Sequence, residues 1–405
     1  MDKYRYGLRK HKRSNQTTPS VEEMTRHLLR RIRLSLAMCL TACVTAMVGC
    51  SDNVSAPTPS AAVRSAQSKT DATEYEVTDL GSFGIGATIS FAIDKQGTVL
   101  GRYTRADGAF RSFRRTEKDG YEDLGDFEGR AFQILNTNDR GLLNGNVSVG
   151  PGVQRAVAWV PKEGFTYLDG TNTGSTLGSN DRGAIAGTRT EIGKSSAFVW
   201  TEEAGVQLIP VLIAGRTIVN STGADLNNDG TFAGTVVSRP VGGGPTFNRA
   251  FVYDATGATT LIPPLGPTNV GVTSISDEGL VVGASETRAP LPGERRASPL
   301  ASSPGDVPVH AWKWSQSLGL VDLGTLGGKH SVAWDSDKDG NVYGWSSDAA
   351  NRRHAVKWSI DGSVVDLGSL GGDTFIGGLN KHGVLTGWSV APDGVAHAAL
   401  FEPNK

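Results

Sequence analysis

The chain has 405 residues, 40 Lys and Arg against 41 Asp and Glu, 52 Gly and only 3 Cys. Its formal charge of −1 hides two unlike parts: the first 49 residues carry ten basic side chains against three acidic ones, and the other 356 carry 30 against 38. An acidic body of this kind argues against nucleic acid as a partner. The shortage of cysteine excludes a disulfide scaffold.

In chain order, residues 1–49 form a leader. Arg30-Arg31-Ile32-Arg33 precedes an apolar run, Leu34 to Val48, and then Gly49-Cys50. A basic segment followed by an apolar run of about 7–15 residues is an export signal, and it is too short to span a bilayer. Met24 is an alternative start, because residues 1–23 add nothing such a signal needs. Met47-Val48-Gly49-Cys50 resembles the lipobox of bacterial lipoproteins. That resemblance implies cleavage before Cys50 and a lipid on its sulfur, and Ser51 is similar to an outer-membrane sorting signal. The expected location is the bacterial cell envelope, anchored by lipid at the outer membrane or cell surface, with plain secretion as the alternative. Cys39 and Cys43 fall inside the apolar run, so the mature chain keeps Cys50 alone. Residues 50–73 have almost no large apolar side chain and are read as a flexible tether.

Residues 74–405 are a repeat. Gly-x-x-x-Gly, with Asx or Ser three residues before the first Gly, begins at Asp94, Asn138, Asn180, Asn227, Ser276, Asp337 and Asn380. Asx at the start and Gly at the end suit a type I turn whose last residue takes positive φ, between two alternating strands. A third strand follows in each copy, for example Ala197-Phe198-Val199-Trp200. A fourth ends in Asp-Leu-Gly, as at Asp123-Leu124-Gly125 and Asp322-Leu323-Gly324. Four short strands per 40–50 residues predict an all-β, seven-bladed β-propeller of 28 antiparallel strands. Tyr75-Glu76-Val77-Thr78-Asp79-Leu80-Gly81 reads as a fourth strand with no preceding three, and Ala398-Ala399-Leu400-Phe401 as a third strand with no fourth. The N-terminal strand is therefore expected to complete the last blade and close the ring.

His310-Ala311, His354-Ala355 and His397-Ala398, with Asp322-Leu323-Gly324-Thr325-Leu326-Gly327-Gly328 and Asp366-Leu367-Gly368-Ser369-Leu370-Gly371-Gly372, resemble the HAF family of extracellular repeats. The resemblance implies an exported bacterial β-protein and supplies no catalytic residue. The three histidines occupy one repeat position in separate blades, so they are expected to bond between strands and not to gather round a metal.

Asp335-x-Asp337-x-Asp339-Gly340 and Asp225-x-Asn227-x-Asp229-Gly230 begin like calcium loops, but the acid due at position twelve is replaced by Ser346 and Val236. Both coincide with the repeat's own turn, so the turn reading is favoured and no cofactor is expected; Ca²⁺ is the one candidate. The largest variable connection runs from Ala284 to Val309. Variable loops on a rigid scaffold are where binding usually resides. They direct attention to Arg295, Arg296, Lys329, His330 and Asp373 as a ligand face opposite the Asx turns, and Trp345 and Trp388 are read as core packing, with an aromatic platform for sugar stacking as the alternative. The expected function is a non-enzymatic, monomeric binding module for a glycan or an envelope protein. The alternative is an envelope enzyme acting on polysaccharide from the loop-rich face.

Overall fold

The computed structural model describes residues 74–160, 163–169, 173–267, 269–296, 298–300 and 305–404. The leader, Cys50 and the tether lie outside the described residues. The described chain is all-β.

After β1 (Tyr75–Asp79), a first antiparallel meander comprises β2 (Thr88–Ile93), β3 (Val99–Thr104), β4 (Phe110–Thr116) and β5 (Gly120–Asp123). The second comprises β6 (Asp126–Phe127), β7 (Arg130–Thr137), β8 (Leu143–Gly150), β9 (Val153–Val160) and β10 (Gly164–Tyr167). The third holds β11 (Thr173–Ser179), β12 (Ile185–Glu191), β13 (Lys194–Thr201) and β14 (Gly205–Leu208); the fourth holds β15 (Arg216–Leu226), β16 (Phe232–Pro240), β17 (Phe247–Tyr253) and β18 (Thr259–Ile262). Next come β19 (Val270–Ile275), β20 (Val281–Glu286), β21 (Val309–Ser315) and β22 (Gly319–Gly324), then β23 (Gly327–Ser336), β24 (Val342–Asp348), β25 (Arg353–Trp358) and β26 (Val364–Asp366). One parallel pair, Val309 with His330, fuses these two meanders into a single eight-stranded sheet. The last sheet takes β27 (Thr374–Leu379), β28 (Leu385–Val390) and β29 (Ala396–Pro403), and β1 is its fourth strand, running antiparallel to β29 from Tyr75↔Pro403 to Asp79↔Ala399. The described residues hold 29 strands where 28 are predicted; the extra one is the two-residue β6.

All seven Asx-x-x-Gly segments form the predicted turn. In the fourth, the Gly230 amide donates to the Asn227 carbonyl at 3.0 Å, and Gly230 has φ +83°. The second glycine of each motif has a different reason. It stands on the second strand opposite a bulge in the first, as Gly387 stands opposite Ile376, and a Cβ there would overlap the Phe375 carbonyl oxygen. Only glycine lets the two backbones approach this closely.

The Asx residue also joins successive meanders. Asn180 Oδ1 accepts from the amides of Arg182 (3.1 Å) and Ala184 (2.9 Å), closing its own turn. Its Nδ2 donates to the Asn227 carbonyl at 2.9 Å. Asn138 reaches the Asn180 carbonyl in the same way, Asn227 reaches Ser276 at 3.1 Å, and Asn380 of the last sheet reaches Asp94 of the first at 3.2 Å. Apolar clusters fill the same interfaces. Leu80 and Ala398 of the last sheet pack with Ile93, Val99 and Phe113 of the first, and Ala224 and Ala250 pack with Val272 and Trp312.

The His-Ala and Asp-Leu-Gly motifs meet. His310 Nδ1 lies 3.0 Å from Asp322, His354 Nδ1 lies 2.7 Å from Asp366, and His397 Nδ1 lies 3.0 Å from Asp79 across the two chain ends. Each aspartate also accepts the amide of its own glycine two residues on, at 2.7–2.9 Å.

An aspartate in place of Asn180 can close the turn but cannot donate to the next one. Asn180→Asp is therefore expected to cost about 1–3 kcal/mol, because a buried carbonyl loses its donor and faces a carboxylate. Urea unfolding of the variant beside wild type measures this.

Candidate functional site

The turns and the first strands of all the hairpins frame one cavity of roughly 700 Å³. Each first strand slips register by a bulge just before its turn, as at Ile134/Asn136, Gly223/Asp225, Val272/Ser274 and Ala333/Asp335. A bulge re-aims the side chains around it. Here Phe91, Leu135, Thr273 and Trp334 line the cavity from the bulges. Leu300, from the long connection between β20 and β21, reaches the same cavity. Leu300 and Trp334 both pack on the cluster of Ala284, Val309, Val332, Trp345 and Phe375.

Two residues before each Asx turn, the side chains run Ala92, Asn136, Gly178, Asp225, Ser274, Asp335 and Gly378. The polar ones from three successive hairpins meet. Ser274 Oγ lies 3.0 Å from Asp225 Oδ2 and 3.1 Å from Asp335 Oδ1. Backbone amides hold both carboxylates: Leu226 (2.8 Å) and Ile275 (3.1 Å) donate to Asp225, and Ser336 (2.8 Å) donates to Asp335. Burial pushes the Asp225 carboxyl up to about 7, against the pull of the Ile275 amide, and the neighbouring Asp335 raises it further. Burial likewise lifts Asp335 to about 6. The serine has one hydrogen for two carboxylates. A proton on either acid completes a chain in which the acid donates to Ser274 and Ser274 donates to the other carboxylate.

At the mouth, the residues that follow the Asx or Ser position in the first five hairpins make a second ladder. Asp139 accepts the Lys95 amide at 3.2 Å, Asp181 accepts the Asp139 amide at 2.8 Å, and Asp277 accepts the Asn228 amide at 2.8 Å. Lys381 reaches Asp139 at 3.0 Å, and Lys338 reaches Asp339 at 2.7 Å.

Of the sequence candidates, Asp225, Asn227, Asp335, Asp337 and Asp339 line this cavity, and Asp229 does not. Their oxygens diverge. Asn227 and Asp337 cap their own turns, accepting the Thr231 and Asn341 amides at 2.9 Å. Asp229 lies 3.6 Å from Arg182, and Asp339 pairs with Lys338. Among the described residues no group of three or more His, Cys, Asp or Glu is placed to hold a metal ion.

None of the ligand-face candidates lines the cavity. Arg295 pairs with Asp306 at 3.3 Å and Arg296 with Glu286 at 2.8 Å, while Lys329 is exposed. Asp373 holds Arg353 at 3.1 Å, and that guanidinium stands over Trp345 and Phe375. His330 is buried, which lowers its pKa to about 4, with Lys329 and Arg353 adding to the effect. Trp345 is only 4 % exposed, and half-buried Trp388 stacks on Phe375 at 4.2 Å, so both rings spend most of their surface within the fold. Ser274 is the residue that motif reading passes over; aligning the repeats two residues before the Asx finds it.

No family model and no curated protein matches the chain. Among solved structures it is similar to the β-propeller domain of the Trilobed protease from Pyrococcus furiosus, at 10% identity over 78% of this chain and 96% of that one, with a TM-score of 0.48. It is also similar to a streptogramin B lyase (11%, 83% and 100%, 0.46) and to a putative TolB from Agrobacterium tumefaciens (14%, 80% and 100%, 0.41).

Protons on Asp225 and Asp335 give the pH dependence of stability a definite sign. Near pH 7 the folded state holds a proton that the unfolded carboxylates, titrating near 4, have released, so stability rises as pH falls. His397 acts in the same direction: burial alone would lower its pKa, but Asp79 and Asp393 outweigh it and raise it. From pH 8 to 6.5 the Asp225 contribution is about 1 kcal/mol. Thermal unfolding is expected to shift upward over this interval, and Asp225→Asn is expected to shrink that upward shift whatever its absolute stability.

Proposed function

We propose that the chain is a cell-envelope lipoprotein presenting a seven-bladed β-propeller as a non-enzymatic binding module, with its ligand in the central cavity. The pairing of β1 with β29 and the Asn380–Asp94 bond support a closed ring. The leader and the Met47–Cys50 motif support lipid attachment. One observation carries the reading: a cavity of roughly 700 Å³, bordered by every Asx hairpin, of a size that holds a small ligand or the end of a larger one. This moves the site from the loop-rich face to the face of the regular turns. A glycan or a segment of an envelope protein remains the partner class.

A second reading, an envelope enzyme acting on polysaccharide, has the carboxylates of Asp225 and Asp335 in its favour, since raised carboxyl pKa values suit general acids. It needs an acid and a base or nucleophile flanking a scissile bond, whereas these two acids are joined to each other through Ser274.

Two measurements test the proposal. Leu177 is 46 % exposed and lines the cavity, so Leu177→Trp fills space without disturbing a core. It is expected to abolish capture on a bacterial glycan array or of solubilised envelope proteins. Capture that survives Leu177→Trp and is lost with Arg295→Ala and Lys329→Ala puts the site on the other face. Metabolic palmitate labelling is expected to vanish in Cys50→Ala, and its persistence overturns the anchor.

A further inference from the structure

We propose that the waist of the cavity, formed by Asp225, Ser274 and Asp335, is a site for an organic ammonium cation with an apolar body. This deepens the reading of the cavity as the ligand site and rests on it. The three polar side chains come from three successive hairpins and converge on one side of the cavity, joined through Ser274 at 3.0 and 3.1 Å. At the same repeat position the other hairpins carry Ala92, Asn136, Gly178 and Gly378, none of them charged, and the Asp225 carboxylate occupies the room that Gly178 makes. A second, independent feature lies beside them. Ser336 is 7 % exposed and lines the cavity, and its hydroxyl has no partner within the chain. Ser179, in the same wall, has an unpartnered hydroxyl as well.

An ammonium group answers these needs together. Its three N–H donors can serve two carboxylates and one hydroxyl, where the single Ser274 proton serves one carboxylate. Its charge replaces the proton that the pair otherwise keeps. On binding, the acid's O–H gives its proton to solvent, both carboxylates become ionised, and the ammonium nitrogen keeps its own protons. A bare divalent ion fits less well: Ca²⁺ takes about six to eight oxygens, and no third acid joins the pair. The remainder of the cavity, with Phe91, Leu135, Leu177 and Trp334 in its wall, suits a hydrocarbon or aromatic body.

The other charged groups around the pair favour a cation. Asp337 follows Asp335 on the same strand's turn, and Asp277 and Glu278 lie on the turn after β19; Asp181 lies on the turn after β11. The cavity's lysines are engaged at the mouth, Lys338 with Asp339 and Lys381 with Asp139, and His382 stands on the turn after β27.

Calorimetric titration of the full chain with hexylammonium chloride, its neutral counterpart hexan-1-ol, and CaCl₂ tests the site. Hexylammonium is expected to bind about tenfold or more tightly than hexanol at pH 7.5, and to weaken about tenfold between pH 7.5 and 6 as the proton competes. Hexanol should not change. Titrations in buffers of different ionisation enthalpy are expected to show close to one proton released per hexylammonium near pH 6.5, a readout that needs no variant. Asp225→Asn and Asp335→Asn are each expected to cut hexylammonium affinity about tenfold and remove the proton release while leaving hexanol binding unchanged. Equal binding of hexylammonium and hexanol, with no proton released, overturns the ammonium site and leaves the cavity reading standing. Tighter binding of CaCl₂ than of hexylammonium, with displacement of the amine, also overturns it in favour of a metal. If neither organic probe binds and Leu177→Trp captures partners like wild type, the ammonium site and the cavity reading fall together.

Discussion

A carboxamide has an acceptor at one end and a donor at the other, and this fold depends on that asymmetry. At Asn138, Asn180, Asn227 and Asn380 the oxygen closes a turn and the nitrogen holds the next turn. The turn and the spacing between sheets are thus set by one side chain. Where the position is Asp94, Ser276 or Asp337, the cap remains and the outward donor is lost. At the Ser276 interface packing remains: the fully buried Trp358 ring sits with Val282, Ala311 and Ala333. The hydrogen bonds align the sheets, and the apolar contacts supply most of the cohesion.

Local chemistry was readable from the chain, and long-range meetings were not. Glycine at the fourth position of the turn is required by its own backbone angle, so spacing reveals it. The same holds for His-Ala and Asp-Leu-Gly, whose partners lie on paired neighbouring strands. Gly387 illustrates the limit. Its repetition is visible, but its reason is a carbonyl on another strand, brought close by a bulge that no residue type announces. Asp225 and Asp335 drew notice as parts of calcium-like strings, yet the structure directs them away from their own turns and toward Ser274, 49 and 61 residues distant respectively. Loop length pointed toward Arg295 and Lys329, whereas the concave surface is built by the regular turns. Variation in length marks tolerance, and concavity follows from how first strands converge.

A repeated unit also makes any departure from the repeat informative. Four of the seven positions two residues before the turn carry small or neutral side chains, and the glycine at 178 makes room for the Asp225 carboxylate of the next hairpin. Three adjacent hairpins break the pattern with Asp, Ser and Asp, giving the cavity a polar side and an apolar remainder. The energetic cost of two half-buried carboxylates in a low-dielectric wall is reduced by backbone amides and by a retained proton. A polar cluster retained at that cost sets apart one side of an otherwise regular ring of positions.

The seam between the chain ends has a mechanical consequence. β1 is held by five residue pairs to β29, by the His397–Asp79 contact, and by the Glu74–Lys357 ion pair at 3.0 Å. Tension applied ahead of Tyr75 is therefore borne by this one strand before it reaches the rest of the fold. Because β1 runs antiparallel to the strand that ends the chain, a pull toward the N-terminus loads their hydrogen bonds in shear when it acts along the strand, and opens them one at a time when it acts across it. The direction of load, more than its size, decides whether the last sheet stays whole.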